Sequence, residues 1–280
     1  MKKVKEVKNY MALLRNLRNI LEAGVSKEHL LKVASAISDK EAVLKSKQFP
    51  FRFYSAFSQL REIQGSSMVL DALEEAIKYT AETLVGFSYE TNVLIACDVS
   101  GSMESTISEK SIVQRYDIGI VLGMLMRNRC KDVTTSVFGD TFKVKNFPKD
   151  NILHNVEGLR NLGDEVGCST NGYLALQYAH EQLSKGNAFD KILMFTDCQL
   201  WDSTEGQHDS LHPLWIPYHK AVPTAKLYLF DLAGYGNTPI EVDRGNGVYM
   251  VSGWSDRVFQ MFEALENGEK NIAVIDKIEL

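Results

Sequence analysis

No apolar run in this 280-residue chain approaches the roughly 20 residues that a membrane-crossing helix requires. The longest runs, such as 93–97 and 192–195, have the length of strands. An uninterrupted apolar opening is missing too. Met1-Lys2-Lys3-Val4-Lys5-Glu6 is charged and leads into an amphipathic segment, unlike a secretory signal, so a cytoplasmic location without membrane association is expected. The four cysteines, Cys97, Cys130, Cys168 and Cys198, form no CxxC pair, which leaves reduced, structural thiols as the expectation. Phosphate loops of the GxxxxGK type and GxSxG nucleophile turns are absent. Ser100 has no identified general base, and Asp98-Val99-Ser100 lacks the second carboxylate of an aspartyl phosphatase site. A non-enzymatic protein is therefore expected, with a Mg²⁺-dependent hydrolase as the poorest alternative.

Positive charge is scarce overall, at a net −5, so the chain does not coat nucleic acid with its whole surface, and no DNA partner is expected. The distribution says more than the sum. Residues 1–61 hold thirteen Lys and Arg against five Asp and Glu, a local +8 that leaves −13 for the other 219 residues. Any phosphate partner should meet the N-terminal segment first. Arg15, Arg18, Lys45, Lys47 and Arg52, with Lys27 and Lys32, form its diffuse basic face.

The apolar spacing changes once along the chain. Tyr10, Leu13, Leu14, Leu17, Ile20 and Leu21 recur at helical steps. Gly24 stops that helix, Ser26 caps a second through Leu30, Leu31, Ala34 and Ile37, Pro50 opens a third, and a fourth follows Gly65-Ser66-Ser67. After Gly86 short apolar runs alternate with helical stretches, the pattern of a mostly parallel sheet covered by helices. Strands are expected near 92–98, 132–138, 141–146, 191–197, 226–231 and 247–251, and helices near 111–128, 151–160, 171–184 and 254–266. Gly139-Asp140 reads as a hairpin that makes one edge strand antiparallel. The expected division is an all-α segment over 1–88 and an α/β domain over 89–280. His208, His212 and His219, with Asp202 and Asp209, read as a polar loop followed by a helix rather than a zinc site, because neither spacing fits a familiar ligand pair.

The strand at 92–98 runs straight into Asp98-Val99-Ser100-Gly101-Ser102-Met103, which puts Asp98 at a strand's carboxyl end, where open α/β sheets place ligands. Alone, Asp-x-Ser-x-Ser arises by chance in roughly one chain in fifteen of this length. Two further pieces strengthen it: Thr170 in Ser169-Thr170-Asn171-Gly172, and Asp197 after another strand. Hydroxyls with carboxylates suit a hard cation such as Mg²⁺. Asp98, Ser100, Ser102, Thr170 and Asp197 resemble the metal-ion-dependent adhesion site of von Willebrand factor A domains. That resemblance implies a Rossmann-like α/β fold and a Mg²⁺ site, or one for Mn²⁺ or Ca²⁺. In that family serines and threonine bind the ion, the aspartates act through water or exchange with it, and one position is left for an acidic side chain of a partner protein, so the same roles are implied here. Cys168-Ser169 stands where Gly-Gly is usual, leaving Ser169 and Thr170 both open as the third hydroxyl, and Glu104 lies beside the open position.

Tyr10-Met11-Ala12-Leu13-Leu14-Arg15-Asn16-Leu17-Arg18-Asn19 resembles a run in the TROVE module of Ro-type proteins, and Phe49-Pro50-Phe51-Arg52-Phe53-Tyr54 a later element of it. Phe230-Asp231-Leu232-Ala233-Gly234-Tyr235-Gly236 and Ser252-Gly253-Trp254-Ser255-Asp256 are similar to late elements of bacterial Ro-like A domains. The resemblance implies a ribonucleoprotein component that binds small structured RNA and carries the last TROVE-like helix pairs before its A domain. The alternative is a metal-dependent protein interaction module without an RNA role.

Overall fold

The computed structural model describes residues 10–109, 111–201, 211–254 and 258–275. Two compact units emerge, one from residues up to Leu84 together with Asp150–His154, the other from Val85–Lys149 and the residues from Asn155 on.

In the first unit, α1 (Tyr10–Glu22) buries Leu13, Leu14 and Leu17, the face marked by the apolar spacing. Gly24, at φ +61, ends it by donating to the Leu21 carbonyl. Ser26 caps α2 (Lys27–Ile37) by accepting from the His29 amide. An unforeseen short helix follows, α3 (Lys40–Ser46). Asp39 caps it at 2.7 Å from the Ala42 amide, and Lys47, left-handed at φ 49, ends it. Pro50 opens α4 (Pro50–Leu60) at the position where a missing amide costs least. α5 (Ser67–Glu82) packs against α2 and α4 over a core of Ile37, Phe53, Tyr54, Leu73 and Ile77, all fully buried.

Glu74 of α5 is a buried charge with a stated job. Its carboxylate accepts the Leu153 amide at 3.0 Å, the His154 amide at 3.2 Å and the His154 ring at 3.0 Å, capping the first turn of α7 (Ile152–Gly163). Glu74→Ala removes the acceptor for two amides and should destabilise the protein by about 1–3 kcal/mol. Glu74→Gln, which keeps an acceptor, should cost less, and denaturant unfolding of the two variants checks the order.

The second unit is a six-stranded sheet of β1 (Asn92–Asp98), β2 (Asp132–Phe138), β3 (Phe142–Val144), β4 (Lys191–Thr196), β5 (Lys226–Asp231) and β6 (Val248–Ser252). Its order is β3-β2-β1-β4-β5-β6, parallel throughout except for β3, which turns back on β2 through Gly139-Asp140 as expected. The chain leaves β1 toward β2 and later crosses to β4 on its other side, so β1 ends at the point where the winding reverses. Crevices form at such points because the flanking loops diverge. The helices of this unit are α6 (Arg115–Arg129), α8 (Tyr173–Ser184), α9 (His212–Ala221), α10 (Val258–Ile275) and the later part of α7.

Some bounds differ from expectation for identifiable reasons. α6 begins at 115 rather than 111 because Gln114 and Asp117 form a capping box. It lies so close to the sheet that a Cβ on Gly119 would stand 2.6 Å from Phe195 Cβ. β3 is three residues long rather than six. α10 starts at 258 and runs to 275 rather than spanning 254–266, anchored by Phe259 and Phe262, the latter 4.5 Å from Phe87 between ring centroids. α9 is the helix expected after the polar loop, while Asp202, His208 and Asp209 of that loop, like Ser255 and Asp256 later, lie outside the described residues. No helix among the described residues is long and apolar enough to cross a membrane.

Candidate metal centre and basic cleft

Asp98 closes β1 and is wholly buried. Its Oδ1 accepts the Ser100 amide at 2.9 Å and its Oδ2 accepts the Thr196 hydroxyl at 2.6 Å. Ser100, 1% exposed, brings its Oγ to 3.4 Å from that of half-buried Ser102. Ser102 stands in the 3₁₀ turn Gly101–Glu104, which closes as Met103 donates to the Ser100 carbonyl. Asp98, Ser100 and Ser102 are thus held together by the backbone of one loop.

Asp197 follows β4 and is also wholly buried. Its Oδ1 accepts the Gln199 amide at 3.1 Å, whereas Oδ2 is buried without a hydrogen-bond partner among the described residues. Burial pushes the Asp98 carboxyl up to about 6, the nearby charge of Asp197 adds to the rise, and the bonds from Ser100 and Thr196 oppose it. Two buried carboxylates, one with an orphaned oxygen, form an electrostatic arrangement that a cation relieves. The residues present therefore fit a hard divalent ion. Among the described residues no group of three or more His, Cys, Asp or Glu side chains is poised for a metal, so an ion here depends on hydroxyls.

Thr170 reaches this edge through the hairpin. Its carbonyl accepts the Trp201 amide at 3.2 Å, tying its loop to the one after β4. Asn171 donates its amide to the Gly139 carbonyl and its side chain to that of Asp140. Ser169 bonds Asp140 through both its hydroxyl and its amide, the latter at 2.8 Å, and holds that carboxyl below its usual range. The two candidates for the third hydroxyl thus differ, since that of Ser169 is engaged by Asp140.

Several contributors were not marked by sequence. Thr196, one residue before Asp197, orients Asp98. Arg115 donates to the Ser102 carbonyl at 3.5 Å and to the Tyr235 hydroxyl at 2.9 Å. Asp231 ends β5 fully buried, but its oxygens accept the amides of Ala233, Gly234 and Gly236, so it braces a loop. Glu104 is exposed. Cys198, at φ +59, has its thiol pushed up by burial and by Asp231, Asp197 and Asp98, which makes it a poor nucleophile. All four cysteines are free, and only Cys168 is exposed.

The basic face separates into parts. Arg15, Arg18 and Arg52 line one small cleft of about 150 Å³ between α1 and α4, together with Gln48 and Gln59. Arg18 pairs with Glu22 at 2.7 Å, while Arg15 and Arg52 have no acidic partner among the described residues. Lys45 and Lys47 are exposed near the end of α3 and do not line the cleft. Lys32 is taken up by Glu28 at 2.7 Å. His212 and His219 belong to no cluster of three or more His, Cys, Asp or Glu side chains among the described residues, and the His219 ring bonds the Ala225 carbonyl at 3.0 Å.

Residues 6–109 match the family described as TROVE domain, and residues 92–262 that described as Ro60 vWA domain. The fold is similar to that of the Deinococcus radiodurans RO (RSR) protein, with a TM-score of 0.64 at 20% identity over 93% of this chain and 53% of that one. A stretch of 56 residues, 20% of this chain, is 40% identical to Telomerase protein component 1 of Rattus norvegicus and 38% identical to that of Mus musculus. The chain spans about half the length of the Deinococcus protein and 2% of each telomerase component.

Proposed function

This chain belongs to the Ro60 vWA-domain family, a Ro-type protein with TROVE and A-domain parts, and from that premise we propose that it is a non-enzymatic, cytoplasmic Ro-like RNA-binding component. The convergence of Arg15, Arg18 and Arg52 on one cleft carries the RNA assignment at residue level. Guanidinium groups offer paired donors to phosphate oxygens, and two of these three have no carboxylate partner among the described residues. Lys45 and Lys47 extend the positive surface as point charges.

The A-domain unit has the second role. Ser100, Ser102 and Thr170 would hold Mg²⁺, or Mn²⁺ or Ca²⁺, through hydroxyls, with Asp98 and Asp197 completing the shell. The bound ion supplies a Lewis-acidic position for an acidic side chain of a partner protein. This chain's own residues prepare that position: Thr196 and the Ser100 amide orient Asp98, and the engagement of Ser169 by Asp140 supports Thr170 over Ser169 as the third hydroxyl.

Filter binding of a small structured RNA across a salt series tests the first role. Arg15→Ala with Arg52→Ala should weaken binding about tenfold or more at low salt and reduce the slope of log K against log salt by about two, roughly one for each phosphate no longer neutralised. Lys45→Ala and Lys47→Ala should have smaller effects. An unchanged slope in the double arginine variant would remove the cleft from the RNA site. Failure of the wild-type protein to retain RNA even at low salt would leave the metal-dependent protein interaction module.

A further inference from the structure

Arg115, the first residue of α6, reaches back to the loop that carries Ser100 and Ser102. Its Nη1 donates to the Ser102 carbonyl at 3.5 Å and to the Tyr235 hydroxyl at 2.9 Å, and its guanidinium carbon stands 5.2 Å from the centre of the Tyr235 ring. Both acceptors are neutral. No carboxylate among the described residues pairs with Arg115, although Asp98 and Asp231 end neighbouring strands. Tyr235 is itself held for this contact. Gly234 and Gly236, on either side of it, take left-handed φ of +72 and +75, and Asp231 accepts both of their amides at 2.8 Å. Glycine adopts that backbone without strain, so the turn presents the phenol at a fixed place with half of its surface exposed.

A guanidinium steered by a phenol keeps its full charge, and this one bonds the same residue whose hydroxyl is assigned to a divalent ion. Two cations that close repel each other unless an anion lies between them. The two oxygens of one carboxylate suit such a pair, because a guanidinium offers its donors in a planar fork. The surroundings favour a protein as the carrier of that carboxylate. Ile112, Trp201, Tyr235 and Trp254 are each between 36% and 50% exposed, and all four lie in segments that follow the carboxyl ends of the parallel strands. Aromatic and arginine side chains are the usual anchors of protein interfaces. Residues 62–280 carry a net −13, which repels a polyanion such as RNA more strongly than a single acidic side chain. With the ion position at Ser100, Ser102 and Thr170 as its basis, we propose that Arg115, positioned by Tyr235, is the second anchor for the partner protein's acidic side chain. One carboxylate oxygen meets the ion position and the other meets the guanidinium.

Two measurements on the full chain, at constant ionic strength, separate the role of Arg115 from the ion position itself. Calorimetry gives the affinity for Mg²⁺ alone. Fluorescence polarisation at saturating Mg²⁺ gives the affinity for a labelled pentapeptide with one central aspartate between leucines. The wild type should bind that peptide only with Mg²⁺ present and should not bind its asparagine counterpart. Arg115→Ala should weaken the peptide about tenfold, the loss expected for one charge-assisted hydrogen bond. The same variant should bind Mg²⁺ at least as tightly as the wild type, because a like charge beside the ion is gone, whereas general damage to the fold would weaken both. Arg115→Lys should recover part of the peptide affinity, since the charge returns without the fork. Tyr235→Phe should weaken the peptide about threefold and leave Mg²⁺ affinity unchanged, as for one neutral hydrogen bond that positions the arginine. If Arg115→Ala does not fold, Arg115→Lys and Tyr235→Phe decide the question, and wild-type peptide affinity in both would overturn the proposal. No Mg²⁺ binding by the wild type would remove the ion position, and the role of Arg115 with it. With Mg²⁺ bound normally, three results would overturn the role of Arg115 alone: unchanged peptide affinity in Arg115→Ala, no aspartate-dependent peptide binding, or Mg²⁺-dependent binding of an oligouridylate in place of the peptide.

Discussion

Asp197→Asn should abolish the stabilisation that Mg²⁺ gives the wild-type protein. At a concentration one hundred times its dissociation constant, a ligand that binds only the folded state stabilises it by about 2.7 kcal/mol. In a domain of this size each kcal/mol corresponds to about 2–4 °C in melting temperature, so the wild type should gain several degrees and the variant none. The sign in the absence of metal is equally informative. Asp98 and Asp197 are both wholly buried, and Asp197 Oδ2 has no hydrogen-bond partner among the described residues. Neutralising one of the two should therefore leave the metal-free protein at or above the wild-type melting temperature. Asp98→Ala should also lose the metal response but fall below the wild type without metal, because the Thr196 hydroxyl and the Ser100 amide lose their acceptor. Differential scanning calorimetry with and without Mg²⁺ separates the cases. A full response in Asp197→Asn would take that residue out of the shell, and no response in the wild type would remove the ion itself.

Gly139→Ala should be among the most damaging single methyl additions in the chain. A Cβ there would stand 2.2 Å from the Gly167 carbonyl oxygen and 2.9 Å from that of Val166. Both obstacles are backbone, so no rotamer change clears them, and the cost should reach about 3 kcal/mol. The damage also has a direction. The Gly139 carbonyl accepts the Asn171 amide, and Asp140 holds Ser169 and Asn171, so displacing the hairpin should move Thr170. Gly139→Ala should lose Mg²⁺ affinity even where it still folds, whereas Gly24→Ala, at a positive-φ turn with open space around it, should lose only stability. Urea unfolding paired with metal titration distinguishes the two losses. Full Mg²⁺ affinity in folded Gly139→Ala would show that the hairpin does not position the third hydroxyl.

Much of this architecture is legible in residue order because it rests on periodicity and local chemistry. The faces of α1 and α2, the Ser26 cap, the Pro50 start and the strand that delivers Asp98 all follow from short-range rules. α3 is not legible in that way. Its seven residues bury only Val43 fully, so there is no face to count, and the Asp39 cap is readable only once the helix is known. The candidate metal centre divides along the same line. Asp98, Ser100 and Ser102 belong to one loop, and a sequence motif shows them. Thr196 reaches Asp98 because β1 and β4 are paired with Cys97 opposite Phe195, a register that no local pattern states. The cleft of Arg15 and Arg52 likewise exists only when α1 packs on α4. Until then both read as ordinary charge on a helix exterior. Arg115 lies further still from sequence view, since 120 residues separate it from Tyr235, the side chain that orients it.

The short antiparallel strand β3 limits how copies of this chain can meet. An open edge of a sheet invites another chain to add a strand, and natural edges resist this with brevity and with lysine. β3 has both: three residues, with Lys143 within it, bonded to Glu165, and Lys145 just beyond, 5.2 Å above the Phe147 ring. A strand arriving there would have to strip water from two ammonium groups for very few backbone bonds. On that side brevity and charge disfavour propagation of the sheet past the hairpin carrying Gly139 and Asp140.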